Sequence, residues 1–592
     1  MDYINQDDLR FLIFDWLNCA DMTSRPEFAE HDRETMQAVI DLSAQLARET
    51  FAQHFKISDQ NEPKLVDGKV VLPSETADDL EAYRDAGFFA AGFPVEHGGM
   101  GLPMTVSMAA QANFMAANIA TGAYPFLTAG NANLLLTFGT SAQIEAWALP
   151  EIEGRFFGTM CLSEPQAGSS LGDIRTRAVP DGEDGLGPRY RLRGNKMWIS
   201  GGDQEMSDNI VHLVLAKVPD ETGQLPAGVK GISIFAVPKY LPDGARNDVA
   251  VAGLNHKMGY RGTTNCLLNF GENDGAIGWR IGDLGQGLAI MFQMMNEARI
   301  GVGMGAACMA YRGYVQSAAY ARDRAQGRSL DRKAAGPDTP QIPIIEHVDV
   351  KRMLLAQKAY AEGAIALVLY SAKLSDDAHT DPDDVERRNA AEVLDLLTPV
   401  SKSWPSEFGL VANDLAIQVH GGYGYTRDYD VEQLYRDNRL NPIHEGTFGI
   451  QAADLVGRKL PQNAAAGYRL LLERIQATCD AARRDEALAG EIVHLDNAVE
   501  AMQRAVSTLA GMGRNTAALD NAGAFLSAFG HVVVGWLWVS QALAATGNSA
   551  LARGKRAACT YFLRVELPKA VTGFAQVERA ETCIADVEID VL

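Results

Sequence analysis

Between about residue 158 and residue 280 the text of this chain changes character, and that change limits what it can fold into. Runs such as RYRLRGNKMWIS, NIVHLVLAKV and GISIFAVPKY are rich in β-branched and aromatic residues and are parted by Gly, Asp and Pro clusters, as a small β-domain requires. On either side the pattern is helical. MQAVIDLSAQLARETFAQHF repeats apolar residues at three- and four-residue spacing. After GDLGQGL, the stretch VKRMLLAQKAYAEGAIALVLYSA puts Leu354, Ala361, Ile365, Val368 and Ala372 on one face, the stripe of a helix buried in a bundle. With 592 residues the chain exceeds what one hydrophobic core supports. The expected fold is mainly α with a central β-domain. The segments are an N-terminal extension (1–34), a helical domain (35–157), the β-domain (158–280), a helical bundle (281–464) and an appended helical domain (465–592).

Turn-rich breaks fall at PVEHGGMGLP (94–103), near Gly139, and in the polar segment 327–344, which reads as a loop; a polar gap is expected near GNSALARGK. The balance of 53 basic against 75 acidic residues, a net charge of -22, argues against a nucleic acid as general partner. Seven cysteines (Cys19, Cys161, Cys266, Cys308, Cys479, Cys559 and Cys583) form no CxxC pair and have no metal-ligand spacing, so buried thiols and no metal are expected. The N-terminus lacks the basic and apolar blocks of a signal peptide, and no unbroken apolar run reaches about 18 residues. A cytoplasmic protein without a membrane span is expected.

Four patches carry candidate chemistry. In GTMCLSEPQAGSSLGDIRT (158–176), Gly168 and Ser169 follow the run Met160–Ser163; small residues expose backbone N–H groups to a flat or anionic ligand, although a tight turn reads the same way. NKMWISGG (195–202) offers Trp198 either as a core tryptophan at a strand end or as a plate against a planar ring, with Ser200 at its polar edge. AIQVHGGYGYTRDYDVEQLYRDNRL (416–440) contains Gly421-Gly422, which permits close approach or simply breaks a helix. NPIHEGTFGIQ (441–451) places Glu445 before Gly446-Thr447, a tripeptide that alone reads as a helix cap.

Taken in order, EPQAGSS, KMWIS, QVHGG and IHEGT resemble the acyl-CoA dehydrogenase superfamily over roughly residues 40–460, with support from PVEHGGMGLP and KMGYRGTTNCLLNF. YINQDDLRFLIFDWLN and the helical text beyond 465 are similar to the enlarged branch of about 600 residues that includes the 3-methylmercaptopropionyl-CoA dehydrogenase type. The resemblance implies an N-terminal helical domain, a β-barrel-like domain and a C-terminal four-helix bundle, with FAD between the last two. By match, Met160, Leu162 and Ser163 would contact the isoalloxazine, Trp198 would lie against the ring, and Ser200 would sit near N5. Gly168 and Ser169 would serve phosphate or CoA atoms. Arg324 would reach the pyrophosphate, Gln418, Gly421 and Gly422 the adenine end of a neighbouring subunit's FAD, and Thr447 and Gly449 the FAD just past the base.

Glu445 matches the catalytic base, which takes the proton from Cα of the thioester while hydride leaves Cβ for the flavin. Burial beside apolar substrate should raise its pKa. Other branches carry the base on the earlier long helix, immediately before an arginine; here Ala298 precedes Arg299, a candidate substrate contact, and Glu297 is one position off, about 100° around the helix. Val348 stands where a Gln is usual, and His444 where a Tyr is common. The implied substrate is an acyl-CoA, the implied acceptor an electron-transfer flavoprotein, and the implied assembly a homodimer. An acyl-CoA oxidase, or a flavin-bearing DNA-binding relative, would share most motifs; mixed charges beyond residue 465 read as a solvated helical face instead of a basic one.

Overall fold

The computed structural model describes residues 3–329, 339–513, 515–582 and 584–592. Residues 330–338 of the expected loop, and Cys583, lie outside the described residues. Contacts gather the chain into two compact units that do not follow chain order: 42–102 with 117–298, and 1–41 with 103–116 and 299–592.

The first unit is built on strands β1 (Lys64–Val66), β2 (Lys69–Val71), β3 (Phe156–Cys161), β4 (Arg177–Asp184), β5 (Gly187–Ser200), β6 (Asn209–Lys217), β7 (Ile232–Pro238), β8 (Val249–Leu254), β9 (Asn265–Phe270) and β10 (Ala276–Ile281). The hairpin β1–β2 interrupts the stretch 35–157, which reads as mainly helical. Asp67 and Gly68 both take positive φ (49° and 75°), the backbone that a two-residue hairpin turn demands and that an Asp-Gly pair supplies. The main sheet runs β10-β7-β6-β4-β5-β9-β8, with β3 parallel to β6. β10 also pairs with β5, which closes part of the sheet into a barrel.

Strands β6 and β7 are buried at every position, so both faces must be covered. Alternate residues serve two cores. Val211, Leu213 and Leu215 pack with Leu135, Trp147 and Trp279, while Val214 and Ala216 pack with Tyr190, Leu192 and Phe270.

In the second unit the helices Val348–Thr380 and Asp384–His420 pack together, followed by Val431–Asn438 and Phe448–Asp454. All five residues of the expected stripe are buried. So is most of the rest of that helix, because Thr516–Ala544 and Ala550–Tyr561 of the appended region also pack on it. A Cβ on Gly363 would stand 2.9 Å from the Trp538 indole nitrogen, so the two helices approach closely. Thr516–Ala544 is long and apolar enough to cross a membrane, yet most of its most apolar window is buried inside the protein, as in a core helix. The GNSALARGK gap is narrower than expected: Ser549 caps the helix Ala550–Tyr561 by accepting from the Ala552 N–H at 3.1 Å.

The N-terminal extension belongs to this unit. Leu9, Phe11, Leu12, Ile13 and Phe14 are buried, and the Trp16 indole donates to Ser540 Oγ at 2.9 Å. A buried charge cluster ties four distant stretches together. Lys555 Nζ lies 2.5 Å from Asp8 and 3.0 Å from Glu362, which also pairs with Lys358; Tyr311 donates to Asp8 at 2.9 Å. Burial and the neighbouring Glu362 push the Asp8 carboxyl up.

Candidate active site

In the sheet unit, the first two patches are joined by a buried ion pair. Lys196 Nζ lies 3.0 Å from Glu164 Oε1 and donates to the Leu162 carbonyl at 2.9 Å. Glu164 also accepts from the Arg175 and Thr176 N–H groups (2.7 and 3.0 Å) and from the Thr176 hydroxyl (2.6 Å). Burial alone would raise its pKa, but Lys196 and these donors pull it down to about 2. The Met197 N–H donates to the Ser163 carbonyl at 3.0 Å, so EPQAGSS and KMWIS are fastened by side chain and backbone together.

That fastening interrupts strand pairing. The β5–β9 register shifts between Lys196 and Ile199, and Trp198 adopts φ 67°. A bulge re-aims a side chain, and a non-glycine residue at positive φ is strained, a combination that clusters at functional positions. Its result here is an indole 59% exposed. Trp198 is therefore not a core tryptophan. Met160, Leu162, Ser163 and Ser200 are partly exposed, and Ser200 Oγ accepts from Asn265 at 3.3 Å. Gly168 and Ser169 are exposed, with nothing within 4 Å of a Cβ placed on Gly168.

In the helical unit, Glu445 sits in a turn before the helix Phe448–Asp454, with φ 52°, followed by Gly446 at φ 89°. The turn is held through its carbonyls. Gln451 Nε2 donates to the Glu445 oxygen at 2.9 Å, and Lys402 Nζ donates to the Gly446 oxygen at 2.8 Å. His444 meets Asn441 Oδ1 at 3.0 Å, and burial pushes its imidazole down to about 3. Thr447 occupies the cap position but its side chain makes no cap hydrogen bond, so the simple helix-cap reading of Glu-Gly-Thr does not hold.

Among the described residues the Glu445 carboxylate makes no hydrogen bond, which leaves it free to take a proton. Its packed surroundings raise its pKa, and the charges of Arg299 and Lys402 pull it partly back. Arg299 is buried and lies 3.3 Å from Asp454. Glu297 instead accepts from Asn133 Nδ2 at 3.1 Å.

A third group lies where the helix Asp384–His420 ends. Gly421 caps it at φ 62°, and open space surrounds the Cβ positions of Gly421 and Gly422, as it does that of Gly449 on the helix Phe448–Asp454. Gln418 and Arg324 are exposed, and the Arg324 guanidinium stands 5.8 Å from the ring centre of Tyr423 in the same turn. Val348 is exposed at the start of its helix.

Known proteins share the domain plan of this chain. The acyl-CoA dehydrogenase N-terminal, middle and C-terminal domains match residues 34–155, 159–272 and 285–460, and an acetyl-CoA dehydrogenase C-terminal-like domain matches 471–588. The chain is 36% identical to 3-methylmercaptopropionyl-CoA dehydrogenase of Ruegeria pomeroyi, over 89% of this chain and 88% of that one. The chain belongs to the acyl-CoA dehydrogenase family. This dehydrogenase is also 33% identical to the broad-specificity linear acyl-CoA dehydrogenase FadE5 of Mycobacterium tuberculosis, over 95% of each. An acyl-CoA dehydrogenase from Bacillus anthracis, complexed with FAD, shares its fold with a TM-score of 0.71 at 21% identity, covering 95% of this chain and 90% of that one.

The residues present fit FAD, the family's cofactor. An exposed indole on a strained bulge suits a planar ring, and glycines without neighbours beside an exposed arginine suit an anionic dinucleotide. Sequence reading missed Glu164, Lys196, Lys402 and Gln451. All but Lys402 lay inside the quoted motifs, and for Glu164 and Lys196 a buried charge in a β-rich run was the available signal. No local signal marks Lys402, whose partner is 44 residues away.

Proposed function

We propose that this dehydrogenase oxidises a short or medium linear acyl-CoA, 3-methylmercaptopropionyl-CoA among the candidates, to the 2-enoyl thioester. Glu445 is the base, and an electron-transfer flavoprotein is the acceptor. One observation carries the reading: a carboxylate with no hydrogen bond among the described residues, on left-handed backbone, with its pKa raised by its surroundings and two cations near. A raised pKa brings the base closer to its working pH. The names of the relatives support a linear acyl chain and a thioether-bearing acyl group as substrates to try.

When bound, FAD supplies the hydride acceptor. The chain's own residues do the rest. Glu445 takes the Cα proton, and its N–H, with the Arg299 field behind it, favours the charge that develops on the thioester oxygen. Met160, Leu162, Ser163, Trp198 and Ser200 would hold the isoalloxazine. Arg324, Gln418, Gly421, Gly422, Thr447 and Gly449 would hold the remainder of FAD, while Ser169 and Arg299 would serve the substrate. By the family resemblance, a neighbouring copy would hold the adenine end, which would make the working unit at least a dimer.

A panel of acyl-CoA thioesters with an artificial electron acceptor tests the reading. Glu445→Gln is expected to keep FAD and lose turnover, and near-normal turnover in that variant would overturn the base. Oxygen uptake with acyl-CoA alone would replace the flavoprotein acceptor with oxygen. A fully active monomer would remove the dimer.

A further inference from the structure

We infer that Lys402 is a positioning residue for the base: its ammonium clamps the Gly446 carbonyl and thereby fixes the orientation and charge of Glu445. The inference rests on Glu445 being the base. Lys402 lies on the buried face of the helix Asp384–His420, with essentially no exposure. Among the described residues its side chain has one hydrogen-bond partner, the Gly446 oxygen at 2.8 Å, and no carboxylate at ion-pair distance. A buried ammonium with so little compensation is costly, so packing alone is a poor reason to keep it.

Geometry supplies a better reason. The bond runs to the peptide oxygen directly after Glu445, where two successive residues hold positive φ. Such backbone persists only where its surroundings determine it, and Lys402 and Gln451 hold the two successive carbonyls. A base misplaced by about 1 Å loses on the order of 10²-fold in rate. The charge acts as well. The groups facing Glu445 electrostatically are Arg299 and Lys402, and those facing Lys402 are Glu445, Glu407 and Arg299. The lysine thus favours the ionised base without bonding to its carboxylate, which stays free for substrate.

Neighbours hold the lysine in place. Trp404, two residues on, donates from its indole to His531 Nδ1 of the helix Thr516–Ala544 at 3.2 Å, and that helix also packs on Phe448–Asp454. The base turn is therefore gripped through both flanking helices.

The test compares Lys402→Met and Lys402→Gln with Glu445→Gln, all as holoenzymes. Lys402→Met is expected to keep FAD and KM but lose ~10²-fold in kcat. With a positive neighbour gone, the acidic limb of its kcat profile should move to higher pH. Lys402→Gln keeps a donor without the charge. It should retain more of kcat yet show the same upward move, and it decides the matter if the methionine variant fails to fold. A readout independent of electron transfer is α-deprotonation of a bound 3-oxoacyl-CoA, followed by enolate absorbance, whose midpoint should also rise. Unchanged kcat and unchanged midpoints in the folded variants would overturn the inference. If Glu445→Gln is inactive in that same series, only the role of Lys402 falls. If Glu445→Gln is active, the base assignment itself falls.

Discussion

Lys196 and Lys402 are both fully buried lysines, one in the sheet unit and one in the helical unit, and they are treated in opposite ways. Lys196 has a carboxylate partner, and that carboxylate is saturated by four further donors, the Gln166 amide among them. Lys402 has a single carbonyl, with the nearby carboxylate of Glu445 left unbonded. A saturated pair fixes structure, because every charge is already answered within the fold. An unsaturated one leaves part of its field for something that arrives later. The first joins two motifs proposed to hold the flavin, and the second stands behind the group proposed to do the chemistry.

Removing the proposed base gives the largest effect. Glu445→Gln should lower kcat by about 10⁴-fold, the upper range for a positioned general base, with FAD content and melting temperature nearly unchanged. Absorbance of the bound flavin and single-turnover reduction by acyl-CoA check both halves. Next is Lys196→Met, which leaves Glu164 buried without its cation. Breaking such a pair costs ~3–5 kcal/mol, to be read from urea unfolding of the holoprotein. If the loss is instead confined to kcat, the contrast between the two lysines collapses. Lys402→Met should do the reverse, with a ~10²-fold loss in kcat and little loss of stability.

Acid separates the two sites further. The folded pKa of Glu164 is depressed to about 2, below the ordinary carboxylate value. Its stabilisation is therefore fully present above that ordinary value and disappears as pH falls toward about 2. Glu445 is shifted upward, so activity should decline with falling pH before the Glu164 pair is lost. Lowering pH should thus silence a still-folded enzyme first. Coincident loss of activity and of Trp fluorescence typical of the folded state would contradict that order.

The legible parts of this molecule were those with local periodicity. β-Branched runs announced β5, β6 and β7, and the three- and four-residue stripe announced the helix Val348–Thr380. The Asp67-Gly68 hairpin had a signal too, but it was submerged in helical text. Unreadable features depend on distant packing. The burial of Phe11 to Phe14 beside the bundle, the Asp8–Lys555–Glu362 cluster and the reach of Lys402 to Gly446 each join residues with no shared period. Trp198 shows the same limit at one residue. Sequence named it, but only the bulge between Lys196 and Ile199 shows why a large indole stands in the open.

The smallest expected effect concerns the rival carboxylate. Glu297 stands on the helix Gly287–Asp323, two residues before Arg299, and a branch of the family that places its base on this helix would put it immediately before the arginine. Here Ala298 fills that position. Successive helical residues diverge by about 100°, and Glu297 spends its carboxylate on the Asn133 side chain at 3.1 Å. That contact turns the Glu297 carboxylate toward Asn133. Glu297→Gln preserves shape and most of that contact, so kcat should stay within about two-fold, the scale of a substitution that touches no critical partner. The pH profile should keep its acidic limb, since Glu445 remains. Loss of that limb in Glu297→Gln would move the base to the earlier helix and leave Lys402 holding a turn without a catalytic occupant.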